Sequence, residues 1–251
     1  MRYQAVLFDL DNTLYDYDLC YRAADDVIFP LLEERTGRPR AELEALLQES
    51  RRYNQITLGG TAAAHNRLLY YQHLVELLGF KPFGLADTIC NLFWDTFLAR
   101  MRLFPGALEL LSAIRSNSKI CLVTDMPVET QYRKIARLGL ADAIDAIVTS
   151  EEAGVEKPHP WVFALALRKL GVPADRACMV GDDYKDIEGA LLSGLDAWWV
   201  PPQGQVQAYP EAVRQSEELR RQYCANRLIL ARDLFELRDL LLAAESREHN
   251  E

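Results

Sequence analysis

The sequence feature that most constrains this chain is a short apolar run that ends in two acidic residues. Ala5-Val6-Leu7-Phe8 has the composition of a buried strand, and Asp9 and Asp11 follow it one residue apart. Ligands of open α/β sheets bind beyond the carboxyl ends of the strands, so both carboxylates are expected to face a site. Two carboxylates this close repel each other and stay ionised only where a cation, hydrogen bonds or water compensates. A solvated turn is the alternative interpretation of this stretch taken alone.

The hydrophobic spacing becomes helical between residues 17 and 102, and no strand is predicted there. Four helical segments are expected, and Pro30 should kink the first of them because it removes a backbone donor. The segments run, in order, from 20 to 36, from 39 through 47, from 61 to 78 and from 89 to 101. They form an all-helical module inserted after the first strand, on the carboxylate side, where a lid would lie.

Strands and helices alternate through the rest of the chain, which indicates a parallel sheet with right-handed crossovers. The fold class is therefore α/β, with a Rossmann-like parallel sheet core formed by residues 1–16 and 103–251 and the helical module formed by residues 17–102. A loop is predicted at 201–204 and a frayed tail at 245–251. Strands are predicted at 119–124, 143–149, 176–181, 196–200 and 227–231, and helices at 108–114, 130–138, 160–170, 186–192 and 234–242.

Polar groups also follow the later strands. The hydroxyl of Thr124 and the backbone amides near Asp125 can bind phosphate oxygens, and the ammonium of Lys157, which precedes a proline, can neutralise both carboxylates and a substrate anion. A further acidic cluster, Gly181-Asp182-Asp183 with Asp186, offers the oxygen ligands that Mg²⁺ prefers. Each cluster alone also fits a helix cap or a solvated surface. Together they indicate phosphoryl transfer to a carboxylate, assisted by a dication.

Composition limits the classes of partner. The chain has 251 residues, of which 49% are hydrophobic, enough for a core in one large domain or two moderate ones. Its formal net charge of −9 gives no overall electrostatic footprint for nucleic acid or for an anionic membrane. No apolar run near the first residues is long enough for a signal peptide or a membrane span, which predicts a cytoplasmic location.

The cysteines and histidines show no metal-ligand spacing. The cysteines lie far apart without a CxxC pair and are expected to be reduced thiols, several of them in the core. The histidines are expected at the surface or in the core rather than as ligands. These residues are Cys20, Cys90, Cys121, Cys178 and Cys224, and His65, His73, His159 and His249.

Four motifs in this order resemble those of the haloacid dehalogenase-like hydrolase superfamily, and the resemblance extends over nearly the whole chain. The first is Asp9-Leu10-Asp11-Asn12-Thr13-Leu14, and the others are Thr124, Lys157 with Pro158, and Gly181-Asp182-Asp183 with Asp186. The helical module resembles the type-one cap of this superfamily, which covers the active site. The phosphatase branch is the closest in pattern.

The resemblance implies a role for each motif residue. Asp9 would be the nucleophile that forms an aspartyl-phosphate, and Asp11 would protonate the leaving alcohol and then activate water. Thr124 and the amide of Asp125 would bind phosphate, and Lys157 would brace the nucleophile and the phosphate. Mg²⁺ would be held by Asp9, the backbone carbonyl of Asp11 and Asp182, with Asp183 and Asp186 as ligands or as support for them.

The second motif departs from the pattern of many such phosphatases, which have asparagine after the threonine where this chain has Asp125. A carboxylate at that position would repel phosphate unless it is protonated or turned away. The departure changes little if the family uses mainly the backbone amide of this position.

The expected function is a magnesium-dependent phosphatase acting on a small phosphorylated metabolite, and the sequence specifies no oligomeric state. Dehalogenation of a 2-haloacid is the runner-up, although that chemistry has little use for Asp11. A sugar-phosphate mutase and a non-catalytic phosphate-sensing protein are further alternatives. Polar residues of the helical module, including Arg51, His65 and Arg67, are candidate specificity contacts, but such helical faces are usually solvated.

Overall fold

A six-stranded, entirely parallel sheet forms the centre of the described part of the molecule. The structure, a computed structural model, describes residues 3–202, 208–223 and 228–248. The strands lie in the order β3-β2-β1-β4-β5-β6, so the chain moves outward from β1 in one direction and then returns past it to build the other half. The strands are β1 (Ala5–Phe8), β2 (Lys119–Thr124), β3 (Ala146–Thr149), β4 (Ala177–Gly181), β5 (Asp196–Trp199) and β6 (Leu228–Leu230). The predicted α/β class is confirmed.

Helices cover both faces of this sheet. Alternate residues of β1 point to opposite faces, with Val6 and Phe8 in one apolar cluster and Ala5 and Leu7 in the other. The carboxyl end of β1 therefore lies in the middle of a three-layer core, where its position is fixed from both sides. The helices are α1 (Tyr17–Thr36), α2 (Arg40–Leu58), α3 (Arg67–Leu77), α4 (Leu85–Arg100), α5 (Ala107–Arg115), α6 (Val128–Leu138), α7 (Ser150–Ala153), α8 (Pro160–Leu170), α9 (Tyr184–Leu192), α10 (Ala208–Tyr223) and α11 (Leu234–Glu248).

Helices α1–α4, which we call the helical insertion, pack on one another between β1 and α5. Helix α1 is continuous through Pro30 to Thr36. The third predicted helix is wrong in its start, because Ala62–His65 forms a separate 3₁₀ turn and the side chain of Asn66 caps α3 by accepting from Leu68 N at 3.0 Å. The division into residues 17–102 and the remainder stays a prediction.

The two connections between the helical insertion and the sheet run side by side. Phe104 N donates to Leu14 O at 2.9 Å, and an isolated bridge pairs Tyr15 with Leu103. The chain thus leaves and re-enters the core at one point, a few residues after Asp11. None of the helices in the described ranges combines the length and apolar character needed to cross a bilayer.

Several predicted boundaries were wrong for local reasons. The third strand starts at Ala146, not 143, because residues Ala141–Ala143 form a 3₁₀ turn. Helix α10 was not predicted, since Ala212 and Leu219 are among its few deeply buried apolar residues. Helix α11 continues to Glu248 where fraying was expected from 245. Arg227, Cys224, His249 and residues 203–204 of the predicted loop at 201–204 lie outside the described residues.

Candidate active site

Asp9 begins the site directly after β1. Its side chain is buried, and Asp9 N donates to Val180 O at 2.9 Å, which continues the pairing of β1 with β4. The chain then turns sharply at Asn12, whose φ of 62° lies in the left-handed region that asparagine tolerates better than most residues. The Asn12 side chain accepts from Tyr17 N at 2.9 Å and so ties this turn to the start of α1.

Lys157 joins the motifs that the sequence keeps far apart. Its Nζ atom lies 2.6 Å from Asp9 Oδ1 and 2.6 Å from Asp186 Oδ1, and it donates to Val123 O at 3.1 Å. Burial alone would lower the pKa of Lys157. The carboxylates of Asp186, Asp9 and Asp125 outweigh this effect and raise the pKa well above its ordinary value. The buried lysine is therefore a fixed positive charge beside the predicted nucleophile.

Asp182 and Asp186 complete a group of acids that fits a metal ion. One carboxylate oxygen from each of Asp9, Asp182 and Asp186 lies within 4.8 Å of the others. Gly181 lets Asp186 approach, because a Cβ atom at this position would lie 2.4–2.7 Å from Asp186 side-chain atoms. A donor set of carboxylate oxygens suits a hard dication such as Mg²⁺.

Asp183 has a different place. Its side chain caps helix α9 by accepting from Lys185 N at 3.3 Å, and Asp183 N donates to Asp186 Oδ2 at 3.3 Å, which completes a capping box. Asp183 lines the cavity, but it is not a member of the three-carboxylate group.

A cavity of about 210 Å³ opens above these groups. Its lining contains six carboxylates and two ammonium groups, a formal excess of four negative charges. An anionic substrate would be repelled from this surface unless a cation were bound there as well. The lining residues are Asp9, Asp11, Asn12, Tyr17, His65, Thr124, Asp125, Met126, Lys157, Asp182, Asp183, Lys185 and Asp186.

Burial and mutual repulsion show in the pKa values of the acids. Burial, which Lys157 opposes and Asp186 and Asp11 reinforce, raises the pKa of Asp9 to about 7. Burial, together with the charges of Asp9 and Asp186, raises the pKa of Asp182 well above its ordinary value. Both carboxyls are thus easier to protonate than ordinary aspartates.

Thr124 ends β2 with its hydroxyl oriented by a residue that sequence reasoning missed. The buried Gln131 of α6 donates from Nε2 to Thr124 Oγ1 at 2.6 Å. Because the oxygen accepts this bond, the hydroxyl proton is left to donate to another group in the cavity. Gln131 lies in a predicted helix and carried no other signal in the sequence.

Asp125 lines the cavity and is neutralised there. Its Oδ1 accepts from Lys157 N at 3.0 Å, and its Oδ2 lies 3.0 Å from Lys185 Nζ. Burial alone would raise the pKa of Asp125. The charges of Lys157 and Lys185 outweigh this effect and hold the pKa below its ordinary value. The acid that replaces the more usual asparagine therefore has its own cation, Lys185, which lies within the fourth motif.

Asp11 is held by a second residue that the sequence did not reveal. Lys134 of α6 places Nζ 2.8 Å from Asp11 Oδ1 and 2.7 Å from Oδ2, and Tyr15 donates its hydroxyl to Oδ1 at 2.6 Å. The Lys134 side chain is completely buried. A lysine in a polar helix is usually solvated, so only the tertiary structure shows this pairing.

The other residues singled out from sequence have separate places. His65 lines the cavity, and its Nε2 lies 2.9 Å from Oε1 of Glu156, the neighbour of Lys157. His73 stacks on Tyr53, and His159 accepts from Trp161 N at the start of α8. The four cysteines in the described residues, Cys20, Cys90, Cys121 and Cys178, are free thiols.

Comparison with known proteins identifies the family. The profile of the haloacid dehalogenase-like hydrolases matches residues 3–194. The chain therefore belongs to the haloacid dehalogenase-like hydrolases.

Individual relatives resemble this chain in sequence or in structure. Ribulose-1,5-bisphosphate 5-phosphatase from Halopiger xanaduensis is 37% identical over 218 residues, which cover 85% of this chain and 91% of the relative. Glyceraldehyde 3-phosphate phosphatase from Methanopyrus kandleri is 33% identical over 196 residues, covering 76% and 81%. The structure of 2-haloacid dehalogenase from Pseudomonas syringae pv. Tomato DC3000 superposes with a TM-score of 0.69 at 25% identity, covering 96% of this chain and 99% of that one. These sequence relatives support a phosphatase.

The pair formed by Asp125 and Lys185 predicts an energetic coupling. Lys185→Met leaves a carboxylate that is 4% exposed without its cation, and we expect a loss of about 3 kcal/mol in the free energy of unfolding. The double variant Asp125→Asn with Lys185→Met should recover part of this loss, with a coupling energy of about 0.5–3 kcal/mol. Urea unfolding of the four proteins measures the cycle, and Lys169→Met, which breaks a more exposed pair, should cost less than about 1 kcal/mol. Additive losses would contradict the coupling.

The raised pKa of Asp9 predicts how stability changes with pH. Without a bound cation, the folded state keeps a proton that the unfolded chain releases near the ordinary pKa of 3.8, so the stabilisation is full below that pH and is lost as pH rises through about 7. In a chelating buffer the free energy of unfolding should therefore fall more steeply between these limits in the wild type than in Asp9→Asn. Asp25, whose pKa burial raises to about 7, contributes equally to both proteins and cancels. Parallel pH curves for the two proteins would refute this assignment.

Proposed function

We propose that this chain is a Mg²⁺-dependent phosphatase that hydrolyses a small phosphomonoester through an aspartyl-phosphate on Asp9. The observation that carries the proposal is the excess of carboxylates around a cavity where Asp9 lies against Lys157. A carboxylate nucleophile and a fixed ammonium group suit attack on phosphorus, while the acidic lining demands a dication before a phosphate can bind.

The steps follow from the placement of the side chains. One oxygen of Asp9 attacks phosphorus as Asp11 gives a proton to the departing alcohol oxygen. Water then attacks the aspartyl-phosphate and passes a proton back to Asp11, which restores both carboxyl groups. The hydroxyl of Thr124 and the backbone amide of Asp125 donate to the phosphoryl oxygens, and Lys157 stabilises their negative charge.

The metal site would use Asp9, Asp182 and the backbone carbonyl of Asp11. Mg²⁺ bound there would neutralise negative charge on the phosphoryl oxygens and the nucleophile. Asp186 lies in the same group, but its Oδ1 pairs with Lys157 and its Oδ2 accepts from Asp183 N. We therefore assign Asp186 to the support of Lys157 rather than to the metal.

The substrate class follows from cavity size and from the relatives. A cavity of about 210 Å³ is smaller than most pockets for drug-sized ligands and fits a phosphate with a short organic part. The relatives named above act on ribulose-1,5-bisphosphate and on glyceraldehyde 3-phosphate. Small sugar phosphates are accordingly the first members of the substrate panel, and phosphoglycolate and nucleoside monophosphates are the next. A small phosphorylated metabolite is thus the proposed partner. The proposed location is the cytoplasm, where such metabolites occur.

Dehalogenation and binding without turnover fit the site less well. A 2-haloacid carries a carboxylate that would meet the acidic lining without a metal to offset it, and its halide leaving group does not need the proton of Asp11. A mutase uses the same first step and transfers the phosphoryl group to a second hydroxyl instead of water. A binding protein without turnover has no need of the arrangement of Asp9, Asp11 and Lys157.

Asp9→Asn tests the nucleophile. This substitution keeps the size of the side chain and removes its charge, so we expect phosphate release from 4-nitrophenyl phosphate in MgCl₂ to fall by at least about 10³-fold. Asp239→Asn, which changes an exposed carboxylate on α11, is the matched control. Acid-quenched wild type should retain ³²P from labelled substrate, and Asp9→Asn should not. Full activity in Asp9→Asn would refute the mechanism, and inactive wild type across the panel would favour a binding protein.

A pair of neighbouring acids tests the metal site. Asp182→Asn should raise the Mg²⁺ concentration for half-maximal activity by about 10-fold or more, because it removes a proposed ligand. Asp183→Asn should change this concentration by less than about twofold, because asparagine caps a helix as well as aspartate does. Activity measured over a series of MgCl₂ concentrations distinguishes them. Equal effects of the two substitutions would contradict the assignment.

A further inference from the structure

Lys134 is a buried charge whose place in the fold is tied to one carboxylate. Its side chain is completely buried, and its ammonium lies 2.7–2.8 Å from the two oxygens of Asp11. Of the carboxylates in the described ranges, Asp11 alone forms an ion pair with it. Burying an unpaired ammonium costs several kcal/mol, so this lysine requires Asp11 close beside it.

Aromatic rings close the remaining sides of the ammonium group. The ring centroids of Tyr15, Tyr17, Trp94 and Phe97 lie 5.2–5.9 Å from Lys134 Nζ. These rings exclude water and leave the ammonium few other positions, and their faces attract a cation. The lysine is thus a rigid donor rather than a flexible surface group.

The two oxygens of Asp11 are held unequally. Among the described residues, Oδ1 accepts from both Lys134 and Tyr15, whereas Oδ2 accepts from Lys134 alone. The plane of the carboxyl group is fixed by these bonds, and Oδ2 keeps the larger capacity for a further hydrogen bond. The Asp11 side chain is 22% exposed and lines the cavity, so its carboxyl group can meet a reacting group.

We propose that Lys134 is a positioning residue that holds the carboxyl group of Asp11 in the geometry for proton exchange at phosphorus. The proposal rests on the function proposed above. In the first step, the bond from Asp9 to phosphorus forms, the bond from phosphorus to the leaving oxygen breaks, and the proton of Asp11 moves to that oxygen. In the second step, the oxygen of water bonds to phosphorus, the bond to Asp9 breaks, and one water proton returns to Asp11.

The acidity of the leaving group distinguishes this role from a merely structural one. Phenolate departing from phenyl phosphate is more basic than 4-nitrophenolate and depends more on a proton from Asp11. The two substrates are otherwise similar in shape. A general loss of folding or binding would slow both alike, whereas a misplaced acid slows phenyl phosphate more.

The experiment compares kcat/KM for both substrates in MgCl₂. Lys134→Met should lower kcat/KM by about 100-fold for phenyl phosphate, the effect of a misplacement near 1 Å, and by less than about 10-fold for 4-nitrophenyl phosphate. In an Asp11→Asn background, Lys134→Met should leave the ratio of the kcat/KM values for the two substrates unchanged. Lys119→Met is the control, because this lysine donates to Leu170 O from the opposite end of β2.

The possible outcomes test the role of Lys134 separately from the phosphatase proposal. If Lys134→Met lowers kcat/KM equally for both substrates, or lowers it for neither, the ratio of kcat/KM for phenyl phosphate to that for 4-nitrophenyl phosphate stays at the wild-type value. Either result would overturn the role of Lys134 and leave the phosphatase proposal intact. Wild type that releases phosphate neither from these two substrates nor from the panel of small phosphorylated metabolites would overturn the phosphatase proposal itself. If circular dichroism shows that Lys134→Met is unfolded, Tyr15→Phe replaces it, since this variant removes only the hydroxyl donor to Asp11 and should shift the ratio in the same direction.

Discussion

The candidate site depends on one buried ammonium group lying between two buried carboxylates. Lys157 contacts Asp9 and Asp186 at 2.6 Å each, and the carbonyl of Val123 at 3.1 Å. These partners come from the ends of three neighbouring strands or from the helix that follows, so the ion pairs also fix the sheet edge on which the site is built. Removal of the ammonium would leave two buried acids without compensation, at a cost of about 3–5 kcal/mol. The positive charge of Lys157 still leaves the cavity strongly acidic, which is why a dication fits it.

The lysines around the site give each acid a different environment. Lys134 holds Asp11, and Lys185 neutralises Asp125. Asp182, by contrast, pairs with no cation among the described residues and accepts from Thr13 Oγ1 at 3.0 Å. Carboxylates of one chemical type can take different roles when their surroundings differ in this way. Asp182 also belongs to the three-carboxylate group, so it is well placed to receive a metal ion.

The sequence predicted the parts of this structure that depend on short patterns. β1 matches its predicted range because an apolar run ends at two acids, and the motif residues meet because parallel strands end at one edge. Gln131 and Lys134 could not be predicted, since polar residues of a helix are usually solvated and only the packing of α6 against Thr124 and Asp11 buries them. Helix α10 was missed because its few buried apolar residues, Ala212 and Leu219 among them, are outnumbered by charged and polar ones.

Side chains of the helical insertion surround the ammonium of Lys134, which pairs with Asp11. Tyr17 opens α1 and lines the cavity, its hydroxyl accepts from the buried Arg67 of α3, and its ring lies 5.2 Å from the Lys134 ammonium. Trp94 and Phe97 of α4 complete this enclosure. The side chains that exclude water from the ion pair of Lys134 and Asp11 thus belong largely to the insertion, while the pair itself belongs to the core. A shift of the insertion relative to the sheet would expose this ammonium to water and loosen its hold on Asp11, so the position of the insertion and the placement of the acid depend on one set of contacts.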